Sequence, residues 1–241
     1  MFNESYNNSL EMFGGLHVLT LFFLLIVTIA VYQFRNVISK PKNQKIFLIS
    51  LGLFLLVFES GFHLWTFFMN EYSYTMIPLT GFCAMTNLLT IFALLANKKR
   101  MFNIIVYYAF TGSLFALLFV DTTYGIPHFR YFHYFIVHYG FLLASLYFLF
   151  TKQLAITRKN LNLSTLILVV YTFVVFIFNL ILKENWFYLF ESPVKEISDF
   201  FGLPLYSVLW VITIFLLMNI WYYMITSICK FKLHKKRTIH S

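Results

Sequence analysis

The sequence predicts an all-α polytopic membrane protein: seven transmembrane helices, the N-terminus outside and the C-terminus cytoplasmic. Three observations predict it. Seven apolar runs approach or exceed the roughly 20 residues that a helix needs to cross a hydrocarbon core about 30 Å thick. Charged residues make up only 11% of the 241, against about 25% in an ordinary soluble domain, so the chain has too few charges to solvate that many apolar helices. Finally, Lys and Arg are sorted into one set of connections and Asp and Glu into the other, and Lys/Arg bias in short loops is what orients a membrane protein.

The spans follow in order. The first, 16–34, comes after fifteen residues that hold Glu4 and Glu11 and no Lys or Arg. A secretory signal starts with a positive region, so this span is expected to be retained, with His17 at its outer mouth. It leads into Arg35, Lys40, Lys42 and Lys45. The second span, 46–69, returns outward and carries Glu59 and His63. The third, 77–96, runs inward with Cys83 near its outer end and is followed by Lys98, Lys99 and Arg100. The fourth, 101–120, rises to Asp121. The fifth, 130–151, descends from Arg130 through His133, Tyr134 and His138 to Lys152, Arg158 and Lys159. The sixth, 163–183, ends one turn beyond Asn179 in an outer loop with Asn185, Glu184, Glu191, Glu196 and Asp199. The seventh, 205–229, leads to a tail bearing Lys230, Lys232, Lys235, Lys236 and Arg237.

Only Arg130, Lys183 and Lys195 stand apart from the basic inner segments, and those segments hold no acid. The net charge of +9 is therefore a topology signal. The tail is expected to meet anionic lipid headgroups and no nucleic acid. With no repeat, low-complexity tract or long linker, residues 1–241 form one transmembrane domain of a multi-pass cell-membrane protein. Cys83 and Cys229 fall on opposite sides of the bilayer, beyond the roughly 7 Å Cα separation a disulfide allows.

Orientation collects the chemistry. At 1.5 Å rise per residue, Glu59 lies about 15 Å, His63 about 9 Å, Cys83 about 9 Å and His138 about 12 Å below the outer ends of their spans. Arg130 opens the fifth span, and His128 and Asn185 sit in outer loops. Polar groups at membrane depth usually face the bundle interior and pair there, so these residues predict a polar pocket in the outer leaflet. Glu59 and His63, four residues apart, share a helix face, as do Arg130, Tyr134 and His138. His133 and His138, five apart, diverge by about 140° around the helix. No phosphate-binding glycine loop, paired-carboxylate motif or metalloprotease helix motif is present, and no metal or other cofactor is expected.

Certain strings are more specific. Tyr124-Gly125-Ile126-Pro127-His128-Phe129-Arg130 is followed by Phe132, Phe135, His138 and Gly140. Asn179-Leu180 precedes Asn185-Trp186-Phe187-Tyr188-Leu189, and Gly202-Leu203-Pro204-Leu205-Tyr206 opens the last span. From Glu59 to Tyr206 the chain resembles the YwaF-like family of bacterial integral membrane proteins, which is related to a eukaryotic seven-helix cysteine acyltransferase of ether-phospholipid remodelling. The resemblance implies a bacterial plasma membrane, Cys83 and His138 as a catalytic pair, and a phospholipid or lysophospholipid as partner. A thiol beside a base is a competent acyl-transfer nucleophile. Glu59, His63, His128, Arg130, His133, Tyr134, Asn179 and Asn185 would then line the substrate site, with Arg130 and His128 on the headgroup phosphate. A transporter, receptor or accessory protein binding a small ligand in the same outward pocket is the alternative.

Overall fold

The computed structural model describes residues 10–69, 81–120, 122, 124–192 and 195–238, with side chains through 227. Eight helices are described: α1 (Gly15–Ile38), α2 (Pro41–Phe68), α3 (Phe82–Leu95), α4 (Lys99–Leu118), α5 (Phe129–Phe150), α6 (Arg158–Leu182), α7 (Lys195–Phe201) and α8 (Leu205–Thr238). Six of them are long and apolar enough to cross a membrane; α3 and α7 are shorter. Where the sequence predicts a third span over 77–96, the described helix has 14 residues, about 21 Å of rise. The start of that expected span lies outside the described residues. Among the described residues there is no strand, as a lipid environment requires of any segment that does not close into a barrel.

The chain forms two compact units, Met1–Leu154 and Ala155–Ser241. In the first, the order of side-chain pairs along the helices gives their directions. Thr20 and Thr28 of α1 bond Tyr131 and Tyr139 of α5 in the same order, so α1 and α5 run parallel. Along α2, Gln44, Leu55 and Glu59 meet Tyr147, Gly140 and His133, so α2 runs antiparallel to α5. Glu59 also meets Asn87, while Gly52 meets Leu95, which makes α3 antiparallel to α2. On α4, Phe102 packs on Phe148, Ser113 bonds His138 and Ala116 bonds Tyr134, again antiparallel. The five helices therefore alternate in direction, as successive membrane crossings do.

The core sits on α4 and α5. Phe102, Tyr107, Tyr108, Phe141, Tyr147 and Phe148 are fully buried, whereas α1 presents Leu19, Phe22, Phe23 and Phe34 outward. That reverses the pattern of a water-soluble bundle and suits lipid around the rim. Pro41 opens α2, a position where its missing N–H and fixed φ are tolerated, so α2 begins five residues earlier than the hydropathy run. At this end Lys99 Nζ donates to Gln44 Oε1, and Gln44 Nε2 donates to Tyr147 Oη (2.8 Å) and Gln153 Oε1 (3.0 Å). These bonds tie together the starts of α2 and α4 and the end of α5.

In the second unit α6 also starts five residues early, because Thr157 Oγ1 accepts from Asn160 N and caps it. After α6, Phe187 and Tyr188 adopt left-handed backbone (φ 61° and 50°), unusual for aromatic residues. α8 holds this turn: Tyr206, Ser207 and Trp210 donate to the carbonyls of Tyr188, Leu189 and Phe187.

Candidate functional site at the polar end of the first unit

α2 supplies Glu59 and His63, one turn apart. Glu59 Oε1 lies 3.5 Å from His63 Nε2, as their spacing predicts. Glu59 Oε2 accepts Asn87 Nδ2 of α3 (3.0 Å) and faces His133 Nε2 of α5 (3.4 Å). Arg130 Nη1 donates to His133 Nδ1 at 2.8 Å. A guanidinium can only donate, so His133 Nδ1 is the acceptor and Nε2 carries the proton presented to Glu59. Phe62 stacks on His133 (4.4 Å between centroids), and the Arg130 guanidinium lies 4.5 Å from the Phe62 centroid. Glu59, Asn87 and His133 are all buried. A buried carboxyl group is costly unless donors surround it, and here three helices provide them.

The second cluster lies between α3, α4 and α5. In α4 the helix widens into a π-turn over Ala109–Ser113. Gly112 of that turn faces α3: a Cβ built on it would stand 3.0 Å from Cys83 Sγ. The next residue, Ser113, donates its hydroxyl to the carbonyl oxygen of His138 at 2.7 Å. His138 Nδ1 donates to the Tyr134 carbonyl (2.7 Å), which leaves Nε2 as the lone-pair nitrogen of the neutral ring. The Tyr134 and His138 rings lie 4.4 Å apart, and Tyr134 Oη donates to Ala116 O. Cys83 and His138 each retain partial exposure, whereas Asn87 and Ser113 have none.

The structure thus joins Arg130, His133, Glu59 and His63 into one network and brings Cys83 and the His138 backbone to one π-turn. Of the three residues that spacing puts on one face, Arg130 bonds His133, while the Tyr134 and His138 rings lie against one another. His128 is fully buried and caps α5, its Nδ1 accepting from Arg130 N (3.2 Å), with Tyr124 stacked on its ring at 4.1 Å. Burial, together with the nearby Arg130 charge, holds its pKa below the ordinary histidine value. Asn179 and Asn185 belong to the second unit, where their side chains bond the backbone of Trp186, Phe190 and Glu191 and shape their own loop. The Cys229 side chain lies outside the described residues.

Sequence reasoning missed Asn87, Phe62, Gly112 and Ser113. Asn87 had a signal, since it stands one turn from Cys83 on the same face of α3. The Thr111-Gly112-Ser113 run of small residues was a weaker one.

Long apolar helices with outward apolar faces around a buried polar network define an integral membrane protein. The chain belongs to the TMEM164 family, whose model matches residues 12–225. No curated protein and no solved structure matches it.

Proposed function

We propose that this protein is a membrane acyltransferase that carries an acyl chain as a thioester on Cys83, with His138 as the base, acting on phospholipid in the outer leaflet of a bacterial plasma membrane. The observation that carries the reading is the shared π-turn of α4, with Gly112 against Cys83 Sγ and Ser113 on the His138 backbone. The Nδ1–H bond to Tyr134 supports it by leaving Nε2 available to take a proton. The resemblance of the Tyr124–Arg130 string to a family related to a cysteine acyltransferase points the same way.

The thiol proton passes to His138 Nε2, and Cys83 Sγ attacks the ester carbonyl carbon of a phospholipid. The ester C–O bond breaks, the departing glycerol oxygen takes the proton from His138, and a lysophospholipid leaves. An acceptor hydroxyl then gives its proton to His138 and attacks the thioester carbon. The C–S bond breaks and the thiol is restored, so no oxidant or reductant enters. Arg130 at the first turn of α5 contacts the headgroup phosphate, for which a planar guanidinium is suited. Glu59, through His133, fixes that guanidinium from beneath.

Protein reconstituted with a phospholipid labelled in its acyl chain should transfer the label to added lysophospholipid and retain part of it as a hydroxylamine-sensitive adduct. Cys83→Ala and His138→Ala should each reduce transfer by about 100-fold or more. Transfer unchanged in Cys83→Ala would sink the assignment.

One observation favours a second reading. A buried carboxyl group flanked by His63 and His133 is also what a proton-coupled pathway uses. Solute flux in proteoliposomes that needs Glu59 and His63 but survives loss of Cys83 would select a transporter.

A further inference from the structure

We infer that the π-turn Ala109–Ser113 of α4 is the element that aligns Cys83 with His138, with Ser113 and Gly112 as its positioning residues; this deepens the acyltransferase reading and rests on it. Ser and Thr hydroxyls inside helices commonly bond the carbonyl four residues back on their own helix. Thr86 and Thr90 on α3 do so. Ser113 instead reaches across to α5 and donates to His138 O at 2.7 Å. Together with the Nδ1–Tyr134 bond, this fixes the backbone and the ring of His138 from two sides.

Gly112 acts on the other partner. A methyl group there would stand 3.0 Å from Cys83 Sγ and 3.0 Å from Phe82 Cδ1 and Cε1. Phe82 is buried and has little room to yield, so the thiol would be displaced. A π-turn inserts a residue into the helical register and recurs where helices carry function. Here the widened turn turns two consecutive residues toward two different helices. Holding the Cys83 thiol and the His138 backbone across one peptide unit matters because displacement by about 1 Å costs on the order of 100-fold in an oriented reaction.

The chain has two cysteines, so Cys229→Ser leaves Cys83 as the reporter thiol. In that background, reconstituted in phosphatidylcholine vesicles, the rate of Cys83 labelling by a membrane-permeant maleimide is measured across pH, alongside kcat and KM for acyl transfer. Ser113→Ala should slow labelling about 10-fold, and its pH profile should coincide with that of His138→Ala. Its kcat should fall with KM unchanged, and Ser113→Thr, which keeps the hydroxyl, should recover most of the parent rate. Gly112→Ala should slow labelling to a similar degree; it carries the test by itself if Ser113→Ala is not recovered folded. If His138→Ala changes labelling while Ser113→Ala and Gly112→Ala match the parent, the positioning role is overturned and the Cys83/His138 reading survives. If His138→Ala also labels like the parent, the pair falls and the inference falls with it.

Discussion

Glu59 shows how a membrane interior accommodates a carboxyl group. Its two oxygens face Asn87, His133 and His63, and Arg130 stands behind His133. Glu59→Ala leaves the buried Asn87 amide and the His133 N–H without their acceptor, and should cost about 3 kcal/mol of stability. Glu59→Gln keeps one acceptor oxygen and should cost only about 1 kcal/mol. Thermal unfolding in detergent micelles measures both, and equal stability of Glu59→Ala and the parent would show that the network does not support the fold. At this scale the sequence was legible where two partners lie on one helix: spacing alone pairs Glu59 with His63 and Tyr134 with His138. It was not legible across helices. Nothing in the spacing says that His133 turns to α2, or that Asn87 closes the ring from α3, because those contacts depend on how the helices are rotated against one another.

At the scale of the helix, close approach decides the packing of α2 on α5. A Cβ at Gly140 would lie 2.3 Å from Leu55 Cδ2 and 3.2 Å from Cγ, and Leu55 is completely buried, so its side chain has nowhere to swing. Gly140→Ala should therefore destabilise by about 1–3 kcal/mol. Adding Leu55→Ala should restore part of that loss, and a double-mutant cycle of unfolding free energies would give a favourable coupling; strictly additive losses would mean that the two helices can separate to admit the methyl. Small residues at such crossings are how membrane helices pack without a hydrophobic drive between them. The order of the six long apolar helices was readable from hydropathy; the expected third span, 77–96, is met among the described residues by the shorter helix Phe82–Leu95. The true starts of the long helices were not readable, because Pro41 and Thr157 begin α2 and α6 among polar residues that a hydropathy window discards. The π-turn was hidden for another reason. Hydropathy marks α4 as an apolar run but does not register one extra residue in a turn, and a π-turn differs from an α-turn only by that residue.

For the molecule as a whole, the basic connections and the polar network stand at opposite ends of the same helices. Lys99, Gln44 and Gln153 meet at one end of the first unit, near the segments bearing Arg35, Lys40, Lys42 and Lys45, then Lys98 and Arg100, then Lys152. Glu59, His133 and Arg130 lie toward the other end. A bilayer retains such basic segments on the cytoplasmic side, and on that rule we propose that the polar end lies in the outer half. The expectation is testable with Met12→Cys, which lies just before α1 and is exposed in the parent, and Lys98→Cys between α3 and α4, each made in a background lacking Cys83 and Cys229. A membrane-impermeant maleimide added to intact cells should label the first and spare the second until the membrane is permeabilised. Labelling of Lys98→Cys from outside, with Met12→Cys protected, would invert the molecule. Cys83 would then open toward the inner leaflet and draw its acyl donor from there, because α3 begins at Phe82 on the face opposite the Lys99–Gln44 clamp whichever way the bundle is inserted.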